Sequence, residues 1–92
     1  MTPDCRCPKS ISGSWNLGAL EEIEIWLRKQ LRNYSTNEQI HIGSIARESR
    51  DIATIEKRGN SDGVRYLLGK LREEGLVDCV DEQHFVVKGG DE

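Results

Sequence analysis

A chain of 92 residues makes one small domain with a thin core, because so short a chain buries only a modest part of its surface. Apolar residues are 36% and charged residues 32% of it, the balance of a folded globular protein and not of a disordered one, while 13 basic against 16 acidic residues leave a net charge of −3, unlike a uniformly basic nucleic-acid binder. No apolar run approaches the ~20 residues of a membrane span and the N-terminus lacks a hydrophobic signal core, so the expected setting is intracellular, with no membrane contact.

Residues 1–15 hold both prolines, Cys5, Cys7 and several serines without periodicity. They read as an arm, partly disordered, with Ile11 and Trp15 able to anchor its end. Residues 16–34 read as the first helix. Leu17, Leu20, Ile23, Leu27, Leu31 and Tyr34 fall on one apolar stripe. Glu24 and Arg28 are four apart, a favourable pair on a helix surface. Ile25 points off that stripe and Trp26 lies at its edge. Either the arm covers them or they form a partner contact, such as a homodimer.

Residues 35–39 are polar and read as a loop. Ile40, His41 and Ile42 alternate and suit one short strand. Gly43 or Ser44 can start a second helix, with Ile45, Ser49 and Ile52 on its inner face and Arg47 and Arg50 pointing away. Residues 51–59 either continue that helix through Ile55 or form an extended turn.

Asn60 or Ser61 can cap the third helix, because a short polar side chain accepts from the free amides of a first turn. Val64, Leu67, Leu68 and Leu71 recur at helical spacing. Gly75 stands where helices commonly stop in a left-handed conformation. A hairpin follows: residues 76–80 and 84–88 are apolar and β-branched, and Asp81, Glu82 and Gln83 separate them. Residues 89–92 are a polar tail.

A helix that ends in Leu71-Arg72-Glu73-Glu74-Gly75-Leu76-Val77 and runs directly into a hairpin resembles the third helix and wing of winged helix-turn-helix domains. The resemblance spans residues 16–88. It implies a mainly α fold with a small antiparallel sheet (α+β), in the order helix, strand, helix, helix, strand, strand. It also implies a DNA-facing half built from the second helix, the joint and the third helix, with the third helix entering the major groove.

The charge pattern fits that half. Residues 47–72 hold seven basic and four acidic residues, 7 − 4 = +3, so the remainder of the chain totals −6. Arg47, Arg50, Lys57, Arg58, Lys70 and Arg72 are candidate phosphate contacts, since cations there displace condensed counterions. Arg65 and Tyr66 are candidate base contacts. Opposite the apolar stripe lie Asp62, Tyr66, Gly69 and Glu73. Gly63 and Gly69 each weaken a helix by about 1 kcal/mol relative to Ala, so each asks for a packing or contact reason. The expected function is double-stranded DNA binding, as a small transcriptional regulator or an accessory of DNA transactions. The alternative is a protein-interaction module without DNA affinity. The acidic Asp78, Asp81 and Glu82 of the wing, and the apolar Ile25 and Trp26, are its marks.

No metal, cofactor or catalytic centre is expected. Cys5 and Cys7 are one residue apart, whereas common zinc ligand pairs are two to four apart. An odd number of cysteines does not suggest a secreted disulfide framework. The arm thiols are open to an intermolecular disulfide, and Cys79 reads as a small apolar strand residue. His41 and His84 belong to no catalytic motif, and a domain this small has little room for a small-molecule pocket.

Overall fold

The computed structural model describes residues 7–88. Three helices and a three-stranded antiparallel sheet follow one another as α1 (Leu17–Leu31), β1 (Gln39–His41), α2 (Ile42–Ser49), α3 (Ser61–Glu73), β2 (Val77–Asp81) and β3 (His84–Val87). This is the mixed α+β order expected from the sequence. Cys5 and the tail 89–92 lie outside the described residues.

Asn16 starts α1, and its Oδ1 accepts from the Ala19 amide at 3.2 Å. Ala19, Leu20, Ile23 and Leu27 turn inward and are buried. Leu17 does not share their burial. It lies to one side of that face and is 58% exposed, although Trp15 before it and Ala19 after it are buried. The helix stops at Leu31, three residues short of the expected end, and residues 32–34 form a turn.

His41 ends β1 and begins α2 at once. Its Nδ1 accepts from the Ser44 amide at 3.3 Å, so the helix starts at Ile42 and not at Gly43 or Ser44. Ile42, Ile45, Ala46 and Ser49 are buried. The helix ends at Ser49, which carries Ile52 off its inner face and leaves it 43% exposed. The chain then takes the extended route to α3, and Ile55 enters the core.

Asn60 organises this joint. It stands at the start of α3 but makes no side-chain cap to it. Its Oδ1 accepts from the Ile55 amide at 2.8 Å. Its Nδ2 donates to the Ser49 hydroxyl at 2.8 Å and to the Ala53 carbonyl at 2.9 Å. Both Asn60 and Ser49 are buried, and satisfied buried amides of this kind fix one geometry of a loop.

Helix α3 turns Val64, Leu67, Leu68 and Leu71 into the core, as its periodicity predicts. Gly63 is buried against Ile55, where a β-carbon would collide with Ile55 Cδ1. Gly75 closes the helix with φ +85°. The Gly75 amide bonds the Arg72 carbonyl at 3.0 Å and the Leu76 amide bonds the Leu71 carbonyl at 3.1 Å. That pair of bonds is the left-handed helix stop that a residue without Cβ adopts most readily.

The sheet order is β1-β3-β2. Ile40 pairs with Phe85, and Cys79 pairs with the other side of Phe85. A bulge in β2 between Cys79 and Asp81 lets His84 oppose both His41 and Asp81. Phe85, Val77 and Val87 complete the core from the sheet side.

Candidate nucleic-acid interface

The eight cationic and aromatic candidates separate into two groups. Arg47 lies in the last turn of α2, Arg50 follows its end, and Lys57 and Arg58 lie in the joint. All four are exposed. None has an ion pair among the described residues.

The four on α3 are engaged. Arg65 is half-buried, and its Nη1 donates to the Glu82 carbonyl at 2.8 Å. That bond ties the tip of the β2–β3 hairpin to α3. Lys70 pairs with Glu24 of α1 at 3.2 Å, and Arg72 pairs with Asp78 of β2 at 3.1 Å. Tyr66 is half-buried with its ring edge-to-face on Trp15, centroids 5.9 Å apart.

Glu24 belongs to a wider network. Arg28 grips Glu74 with two bonds, at 2.8 and 2.7 Å, and also reaches Glu24 at 2.9 Å. The Glu74 carboxyl is held below its ordinary range by that Arg28 contact first. Asp78 is lowered first by the Cys79 amide it accepts at 2.8 Å, and then by Arg72. Asp81 is lowered by His84 at 2.9 Å and by the Gln83 amide at 2.8 Å. Asp78 and Asp81 therefore stay ionised at neutral pH.

The described end of the arm does not cover Ile25 of α1. It crosses the outer face of α3, where Cys7, Pro8 and Lys9 wall an open cleft with Tyr66, Gly69, Lys70, Arg72 and Glu73. Gly69 has a reason in this packing, because a β-carbon there would stand 3.0 Å from Cys7 Cβ. Ile25 is left 52% exposed, and Trp26 packs partly buried against the core.

The thiols differ from their expected roles. Cys7 is free and half-buried. Burial raises its pKa, although Arg65 and Arg72 pull the other way, so it is a thiol and not a reactive thiolate at neutral pH. Cys79 packs against the core, and its sulfur is engaged in a disulfide. No group of three or more His, Cys, Asp or Glu is placed to hold a metal ion among the described residues. No helix there is long and apolar enough to cross a membrane.

Four contacts of this face were not legible in the sequence: Trp15, Glu24, Asp78 and the Glu82 carbonyl. Each partner of an α3 side chain except Asp78 is distant along the chain. Trp15 had the one usable signal, a large aromatic at the end of an otherwise polar arm. Comparison with protein-family models, with curated proteins and with solved structures returns no match.

Proposed function

We propose that this domain is a winged helix that binds double-stranded DNA, with Arg47, Arg50, Lys57 and Arg58 as its main phosphate contacts. The observation that carries this reading is their state: four exposed cations without ion pairs among the described residues, grouped at the end of α2 and the joint that leads into α3. Lys70 and Arg72 are secondary contacts. Their exposed pairs with Glu24 and Asp78 are worth about 0.2–1 kcal/mol, so a phosphate can take either cation. Arg65 and Tyr66 remain the base-contact candidates. Such a domain serves as a small transcriptional regulator or an accessory of DNA transactions.

The test is duplex binding across a salt series. With ~4 phosphates neutralised, log affinity falls against log salt with a slope of about −3.6, from −0.9 per phosphate. Arg58→Ala flattens that slope by about one unit on every sequence. Arg72→Ala has a smaller effect because its Asp78 pair must be broken first. No binding to any duplex at low ionic strength, with Asp81→Lys/Glu82→Lys equally inert, defeats the reading.

A protein-interaction module is the second reading. It is favoured by the acidic hairpin tip, the paired cations of α3 and the exposed Ile25. A homodimer through the Ile25 side of α1 is its simplest form. Ile25→Glu is the clean probe, since Trp26 packs against the core. Sedimentation that is concentration-independent in the unsubstituted protein removes the dimer.

A further inference from the structure

The outer face of α3, which must approach a groove if the duplex-binding reading holds, already has an occupant. Cys7 Cβ lies over Gly69, at the distance where an added β-carbon would press on it. Pro8 and Lys9 continue along the same face beside Tyr66 and Arg72. Trp15, 8% exposed, anchors the end of this segment in the core and holds the Tyr66 ring. Ser14 adds a hydrogen bond to Glu56 of the joint at 3.0 Å. The segment is therefore fixed at Trp15 and laid back over the helix.

We propose that this segment is an autoinhibitory strap: it covers the α3 face in the free protein and must leave before a duplex can contact Tyr66 and Arg72. The inference rests on the duplex-binding reading and adds a cost to it. Two occupants compete for one surface, so the strap weakens duplex binding by the free energy of its own docking. In reductant, where the Cys79 disulfide is open, the site suits displacement. The strap makes no ion pair through Lys9 among the described residues, and its seat on Gly69 is a van der Waals contact at one glycine. Its anchor, Trp15, stays in place whether the strap is down or up.

Charge makes the prediction sharp. Residues 1–10 contain Arg6 and Lys9 against Asp4, 2 − 1 = +1. Removing them takes away positive charge and, by electrostatics alone, weakens phosphate binding. A strap predicts the opposite sign. Duplex affinity is measured at low salt for the full chain, for a form lacking residues 1–10, for Gly69→Gln and for the two changes combined. All are held in reductant, so that Cys79 is a thiol in each, and circular dichroism confirms that each is folded.

The truncated form is expected to bind roughly tenfold tighter, within the usual range of coupling between two occupants. Gly69→Gln in the full chain displaces the strap and gives a similar gain. In the truncated form it adds little, because nothing is left to displace, so the cycle separates displacement from a new Gln contact. Labelling of Cys7 by a thiol reagent, followed by peptide mapping, is expected to quicken when duplex is added to the full chain. Equal binding by full and truncated forms overturns the strap and leaves the duplex reading standing. Weaker binding by the truncated form also overturns it and makes the arm a DNA contact. No binding by any form overturns the duplex reading, and the gate on it falls too.

Discussion

Asn60 donates from Nδ2 to the Ser49 hydroxyl at 2.8 Å, across eleven residues and wholly inside the protein. The end of α2 and the start of α3 are fixed to each other by that bond, and with them the cations of the joint. Asn60→Ala leaves the Ile55 amide and the Ala53 carbonyl without the partners they have now. At about 1–3 kcal/mol for each buried group left unpaired, the expected loss is about 3 kcal/mol in denaturant unfolding. Ser49→Ala is milder, because Asn60 keeps its other two bonds. A loss below about 1 kcal/mol for Asn60→Ala would mean that Ile55 alone holds the joint.

Gly63 and Ile55 form the tightest fit in the core. Gly63→Ala raises helix propensity by about 1 kcal/mol but overpacks the site, which typically costs about 1–3 kcal/mol. The single variant is expected to be destabilised on balance. Ile55→Val removes the Cδ1 atom in the way, so Gly63→Ala should be less harmful in that background. Additive effects in thermal melts of the four proteins would show that the two residues do not collide.

Leu67 and Leu71 are buried without residue. Leu67→Ala or Leu71→Ala should cost about 2–5 kcal/mol, enough to unfold a marginal domain. Leu17→Ala should stay within about 0.5 kcal/mol, as surface changes do. Equal losses at Leu17 and Leu71 would return Leu17 to the core.

That contrast shows what periodicity can reveal. A stripe of leucines gives the face of α3 because the whole helix packs along one side. It misassigns Leu17 because, at about 3.6 residues per turn, Leu17 lies to one side of the face that Ala19, Leu20, Ile23 and Leu27 bury. It misassigns Ile52 because spacing does not say where a helix stops. His41 is a rare helix cap, and Asn60 is a common one turned to another use. Both choices depend on neighbours brought near by folding. The α3 cations looked free for the same reason: Glu24 lies 46 residues from Lys70, and no local pattern announces the pair.

Acid should loosen the domain in one direction. Glu74, Asp78 and Asp81 all have carboxyls lowered from ordinary values near 4.5, 3.8 and 3.8. A carboxylate lowered by folding contributes its full stability above its unfolded pKa. That contribution shrinks as pH falls below about 4.5 and is gone below the folded values. The melting temperature should therefore be level from pH 7 to about pH 5 and fall below it. Arg28→Met should reduce the part of the fall due to Glu74, since Arg28 is the leading cause of its shift. A melting temperature that rises on acidification contradicts these assignments.

Strand β2 is an outer strand of the sheet, and an outer strand offers unpaired amides to any other extended chain. Here the Asp78 carboxylate has already taken the Cys79 amide, Arg72 sits against that carboxylate, and the bulge before Asp81 breaks the straight run of the ladder. A second molecule arriving edge-on meets a kink, an occupied donor and a bound charge pair. The hairpin's acidity thus has a use that involves no ligand at all: it keeps concentrated protein from zipping into continuous β-structure.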